Sequence, residues 1–212
     1  MSTEKIIRTV YAPYKSEKII EKSRFITYSQ HVEGEIEAHS FLQQIRSQHS
    51  LATHVCYAYI GDKTGNLQRF SDDGEPQGTA GIPMLEVLKN RKLYETAVAV
   101  VRYFGGIKLG TGGLVRAYSS AVSENLDLAD IRSIYLCQAY QILVAYPEVD
   151  RLQKFISTHT CTTLSQKFGE KVEYKIAVKK QDEAPFIKGL IDTMQGKIIL
   201  QKGEEYYFAF KE

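Results

Sequence analysis

What this 212-residue chain has little of narrows its function before any motif is read. Its three cysteines, Cys56, Cys137 and Cys161, are widely spaced and form no Cys-x-x-Cys pair. A disulfide framework or a zinc site needs more thiols at closer spacing, so these read as reduced, buried groups. No apolar run reaches the roughly eighteen residues that a membrane-crossing helix needs. The opening Met1-Ser2-Thr3-Glu4-Lys5-Ile6-Ile7-Arg8 lacks the apolar core and small-residue cleavage site of a signal peptide. A cytoplasmic protein is expected. Charge is nearly balanced, with a formal net of +2, which excludes polyanion binding by bulk charge alone. The chain also lacks internal repeats, low-complexity tracts and any glycine- or proline-rich linker.

What is present is concentrated near the middle. Gly74, Gly78 and Gly81 fall in the stretch from Phe70 to Pro83, beside Asp72, Asp73 and Glu75. Gly105, Gly106, Gly110, Gly112 and Gly113 fall between Val101 and Arg116, among Arg102, Tyr103, Phe104 and Lys108. Glycine costs roughly 0.5–1 kcal/mol relative to alanine inside regular structure, so this density implies special turns or a close backbone approach. The charge is polarised around the same place, with a net of −3 over residues 71–77 and +4 over residues 78–120.

Periodicity organises the rest. Residues 6–12 and 24–32 read as strands, and 35–48 as a helix with Ala38, Phe41, Leu42 and Ile45 on one face. His54–Ile60 alternates as a strand, with Leu67–Ser71 as its hairpin partner. Thr79 is expected to cap a helix through Met84, Leu85, Val87 and Leu88. Ala97–Val101 reads as a strand buried on both faces. A helix is expected to open after Gly113, with Leu114, Tyr118, Val122 and Leu126 inward. From about residue 132 the order is strand (134–145), helix after Pro147, hairpin (160–168 and 172–178), helix (186–194) and strand (197–210). A break is expected in the last strand at Lys202-Gly203. That order is a ferredoxin-like one. The division is placed at Asp130–Ser133, giving domains 1–131 and 132–212.

Each candidate site has an ordinary alternative. Asp72, Asp73 and Glu75 could hold Mg²⁺, although the spacing is not that of an EF-hand, or they could form a solvated turn. The loop Gly105–Gly113 has the placement of an anion cradle between strand and helix, with Thr111 and Lys108 in it. It matches neither the Walker loop nor the dinucleotide fingerprint, where Val115 stands in place of the third glycine. The alternative is a tight connection with close backbone packing. Arg102, Lys108 and Arg116 are candidate phosphate contacts, and Tyr103 and Phe104 candidate stacking rings. Equally, the rings can be core and Arg102 can pair with Asp72 or Asp73. Catalytic patterns are weak: His54 is placed on the strand face opposite Cys56, and His49 reads as a packed histidine.

Two stretches carry a resemblance. Ser71-Asp72-Asp73-Gly74-Glu75-Pro76 with Gly78-Thr79-Ala80-Gly81, followed by the run from Val100 to Leu114, resembles the signature of the IMPACT/YigZ family. Lys22-Ser23-Arg24-Phe25 and His54-Val55-Cys56-Tyr57-Ala58 support it, and the match covers roughly residues 15–125. The resemblance implies an α+β protein with an N-terminal domain like domain 2 of ribosomal protein S5. A C-terminal ferredoxin-like domain similar to domain V of elongation factor G would follow. It implies translation and RNA, and supplies no catalytic residues. Eukaryotic members restrain a kinase that phosphorylates an initiation factor; this chain lacks their companion domain, so that role is not carried over.

The favoured function is therefore a non-enzymatic, cytoplasmic RNA- or ribosome-associated protein, a regulator linked to translation, with no required cofactor. Arg102, Lys108 and Arg116 would meet phosphates there. Two other readings remain: a Mg²⁺-dependent enzyme on a small phosphorylated or nucleotide-like substrate, and a protein-binding adaptor using the strand 198–210.

Overall fold

The computed structural model describes residues 7–211 and is α+β. A first compact unit runs to Ser133 and a second covers Ile134–Ala209.

In the first unit the order is β1 (Ile7–Val10), β2 (Tyr14–Ile20), β3 (Ser23–His31), α1 (Gly34–Gln48), β4 (His54–Ile60), β5 (Gln68–Ser71), α2 (Gly81–Asn90), β6 (Thr96–Tyr103) and α3 (Gly110–Leu128). Residue 6, expected to open the first strand, lies outside the described residues. The main sheet has the order β2-β3-β6-β4-β5, and every pairing in it is antiparallel. β6 is central. Ala97–Val101 is fully buried because helices cover both faces of the strand. Val98 and Val100 pack with α2 and α3 through Met84, Leu88, Leu114 and Tyr118. Ala97, Ala99 and Val101 pack with α1 through Phe41, Leu42 and Ile45. Each such aliphatic or aromatic side chain contributes about 1.5–3 kcal/mol on burial.

α1 forms as its periodicity predicts, and its entry is tied down when the Glu33 N–H donates to Glu37 Oε2 at 2.7 Å. One strand goes unread from the sequence in this unit, and two expectations fail. β2 was not foreseen, because Tyr14-Lys15-Ser16-Glu17-Lys18-Ile19-Ile20 is an edge strand carrying charges along its length. Thr79 does not cap α2. Its hydroxyl donates to the Pro76 carbonyl, while Asp72 accepts the N–H groups of Gly78, Ala80 and Gly81. α3 starts at Gly110, not after Gly113, so the glycines from 110 to 113 form its first turn.

The second unit contains β7 (Ile131–Val144), which begins just before the division, α4 (Val149–Thr158), β8 (Cys161–Phe168), β9 (Val172–Lys179), α5 (Glu183–Met194) and β10 (Ile198–Lys211). The strands lie in the order β10-β7-β9-β8, which with the two helix crossovers is the ferredoxin-like arrangement. Its core joins Ile142, Val144, Leu152, Phe155, Ile176, Phe186 and Leu190. β10 is continuous through Gly203, contrary to the expected break. Glycine keeps the strands close there: a Cβ would lie 3.2 Å from that of Ala139, and the Gly203 carbonyl accepts Gln138 Nε2 at 2.6 Å.

Candidate functional site

The antiparallel register places Phe25, Arg102 and His54 side by side across β3, β6 and β4. That row lies at the end of the sheet where β6 gives way to the glycine-rich loop. Arg102 is the last buried residue of β6, and its guanidinium turns inward. Nη1 donates to Glu75 Oε1 at 2.6 Å, and the two side chains are only 5% and 4% exposed. Nη2 donates to Ser23 Oγ at 3.2 Å, while the Phe25 and Phe104 rings flank the cation at 5.4 and 5.5 Å. Glu75 Oε1 also accepts the Tyr118 hydroxyl at 2.7 Å, and His54 Nε2 stands 3.9 Å away. Cys56 Sγ donates to the Asp72 carbonyl and lies 3.3 Å from the Tyr118 hydroxyl. This buried polar network is held by β3, β4, β6, the acidic turn and α3.

Two sequence expectations change here. Arg102 is not an exposed phosphate contact, and its partner is Glu75, not Asp72 or Asp73. His54 and Cys56 share one strand face, because side chains two apart point the same way. They form no nucleophile–base pair even so. Burial pushes the Cys56 thiol up to about 12, so no thiolate forms near neutrality.

The acidic turn is committed to the protein as well. Asp72 accepts three backbone N–H groups at 2.8–3.0 Å. Burial opposes its charge, and those donors more than offset it, so its carboxyl sits below the usual range. Asp73 accepts the Val55 N–H at 2.7 Å and Arg46 Nη2 at 3.1 Å. The turn is sharpened by Gly74 at φ +85°, where a Cβ would also press 3.3 Å from His54 Nδ1. Among the described residues these three carboxylates do not gather at the spacing from which one ion could be held. Tyr103 is half-buried, with its hydroxyl 2.8 Å from His49 Nδ1; His49 is packed as read, its Nε2 2.7 Å from the Tyr28 hydroxyl.

The loop and helix entry differ in kind. Gly105 is required by packing: a Cβ there would lie 2.0 Å from the Lys22 carbonyl, and its N–H donates to Ser23 Oγ. Gly106 and Gly110 have φ +87° and +68° with open space around them. Gly112 has no such reason. Its backbone is helical, and a Cβ would meet only the flexible Arg116 Nη1 at 3.7 Å. Gly106, Lys108, Gly110, Thr111, Gly112 and Arg116 are all exposed, as is Phe104 at 47%. The first turn of α3 has no side-chain cap and no acidic residue, so its N–H groups face outward unanswered by a side chain.

Lys22 joins this edge, although sequence reasoning did not single it out as a contact. It sits in the two-residue turn between β2 and β3, where Glu21 and Lys22 have φ 43° and 62°. Such turns favour Asn-Gly, and a Glu-Lys pair there is the local signal that was available. The Lys22 backbone abuts Gly105, which fixes the turn beside the glycine-rich loop.

Comparison with known proteins places this geometry. The Impact N-terminal domain matches residues 21–126, and a domain of unknown function, DUF1949, matches residues 142–197. The chain is 39% identical over 199 residues to the IMPACT family member YvyE of Bacillus subtilis, covering 94% of this chain and 92% of that protein. It is 35% identical over 197 residues to the IMPACT family member YigZ of Escherichia coli, covering 92% and 96%. A solved structure described as a crystal structure of a hypothetical protein is similar with TM-score 0.60 and 32% identity, covering 94% of this chain and 98% of that one.

Proposed function

The chain belongs to the IMPACT family, and on that premise we propose that it is a non-enzymatic, RNA- or ribosome-associated protein acting near translation. The observation that carries the reading is the entry of α3. A helix N-terminus with exposed glycines, no cap and no acid in its first turn favours an anion, and glycine at 112 keeps the approach open where the backbone does not demand it. Lys108 lies in the loop that leads into it, Arg116 one turn along the helix, and Lys22 in the turn packed against Gly105; all three are exposed and without an ion pair among the described residues. The half-exposed Phe104 offers a face on which a base can stack. Arg102 supports the site from beneath by fixing the end of β6. Three cations and one helix entry give a small footprint, which suits a short run of phosphates more than a long duplex.

The test is co-sedimentation with ribosomes and total RNA over a salt series. Binding should fade with salt, and Lys108→Ala or Arg116→Ala should each lower the log–log slope by about 0.7–0.9. Gly112→Ala should raise stability by about 0.5–1 kcal/mol, since alanine is the better helix former, while weakening the association. A Gly112→Ala protein that is more stable and binds as the wild type does would remove the reading. So would no association at low salt.

A further inference from the structure

We propose that His31, Glu33 and Glu95 form a site for one divalent cation of the zinc or manganese type, at the point where β3 leaves the sheet and β6 enters it. One ligand atom from each lies within 4.8 Å of the others, a spacing that a single ion can bridge. This cluster is separate from the acidic turn and from the glycine-rich edge, and it draws on no other part of the functional reading.

Glu95 is the observation that points to a ligand. It is 4% exposed, and no hydrogen bond reaches its carboxylate among the described residues. A carboxylate set this deeply, with no hydrogen-bond donor, is stabilised by a nearby cation. Lys63 is the cation that acts on it, amid the carboxylates of Glu33, Asp62 and Glu37. Its backbone is held left-handed at φ 47°, and its own carbonyl accepts the Val32 N–H at 2.9 Å, which fixes it across from His31.

The imidazole is prepared by a hydrogen-bond chain. The Thr96 hydroxyl donates to the Tyr94 carbonyl at 2.8 Å, so it can only accept from Thr9. The Thr9 hydroxyl donates in turn, to Thr96 or to the Glu95 carbonyl at 3.0 Å. With the single Thr9 proton placed on the Glu95 carbonyl, the 3.0 Å contact between Thr9 Oγ1 and His31 Nδ1 runs from Nδ1–H to oxygen. That tautomer leaves the lone pair on Nε2, which stands 4.0 Å from Glu33 Oε1. A donor bond that orients the second nitrogen of a metal-ligating histidine is the usual support for such a ligand. One imidazole with two carboxylates suits zinc or manganese better than the all-oxygen preference of magnesium, and three protein ligands leave a position for water.

The experiment strips the full chain with chelator, then titrates it with Mn²⁺ followed by electron paramagnetic resonance and with Zn²⁺ by calorimetry. About one equivalent of each should bind, and the thermal midpoint should rise. Glu95→Gln and His31→Gln should weaken binding roughly tenfold or more, and Thr9→Val by about ten- to a hundredfold through loss of orientation. Glu95→Gln removes a buried charge without changing shape, so it tests binding in a folded protein. No binding of either ion by the wild type would overturn the proposal and leave Lys63 as the countercharge. Mn²⁺ binding undiminished in both Glu95→Gln and His31→Gln would overturn it too.

Discussion

Arg102 is where charge and burial oppose each other most sharply in this molecule. Its ion pair with Glu75 is almost wholly removed from water, and its Nε has no partner among the described residues. Removing one member of such a pair strands the other, which costs about 3–5 kcal/mol. Arg102→Ala should therefore lower the unfolding free energy by an amount of that order, read as a fall in the urea midpoint, because Glu75 would keep only the Tyr118 hydroxyl as a close donor. An unchanged midpoint would show that the pair does not hold the network together. The same residue shows how far sequence reasoning reaches: an internal pair between the two motifs was foreseeable, its partner was not. Asp72 and Asp73 are nearer in character to surface acids, yet the Glu75 N–H bond to the Asp72 carbonyl turns the chain so that both aspartates meet backbone and Glu75 faces inward.

Among the elements, α2 and α3 lie on one face of the sheet but begin in opposite ways. The N-terminus of α2 is answered by Asp72, which accepts the N–H groups of Ala80 and Gly81, whereas that of α3 is left open. Asp72→Asn should cost about 1–2 kcal/mol, since a neutral amide accepts fewer and weaker bonds from the three donors. The pH dependence follows from the lowered carboxyl of Asp72. A depressed folded value gives stability that is present above the unfolded value near pH 4 and lost as pH falls through the folded one. Chemical denaturation of both proteins should show the full difference at pH 7, narrowing below about pH 4. A difference that stays constant down to pH 2 would mean that the aspartate charge is not what caps the helix.

Over the whole molecule, the thiols report on both units. Cys56 belongs to the first, Cys137 and Cys161 to the second, and none is in a disulfide. Burial pushes all three up, to about 12, 11 and 11, with the Tyr118 hydroxyl opposing it at Cys56 and Lys179 at Cys137. At pH 8 the native protein should react with a thiol reagent at a small fraction of the rate of the urea-unfolded chain, which should yield three thiols. Fast labelling of one native cysteine, identified by mass spectrometry, would mark that unit as opening locally. No helix of the described residues is long and apolar enough to cross a membrane.

Local pattern alone determined the helices and strands whose faces are strongly periodic. Ala38, Phe41, Leu42 and Ile45 specify α1, the apolar run Ala97–Val101 specifies a central strand, and the element order after residue 132 specifies a ferredoxin-like unit. These features depend on neighbours a few residues away, so they can be read along the chain. The tertiary structure decided which polar residues meet. The row Phe25–Arg102–His54 and the trio His31, Glu33 and Glu95 exist only because β3 pairs with β6 in one register. Strand order and register join residues such as His54 and Arg102, or Phe25 and Arg102, that lie far apart along the chain, and no spacing in the sequence encodes that pairing. β2 was missed for the related reason that an edge strand needs only one partner and little apolar surface. The glycines mark the same boundary: the sequence showed that they cluster, and only packing distinguished Gly105, pressed against Lys22, from Gly112, which nothing in the fold requires.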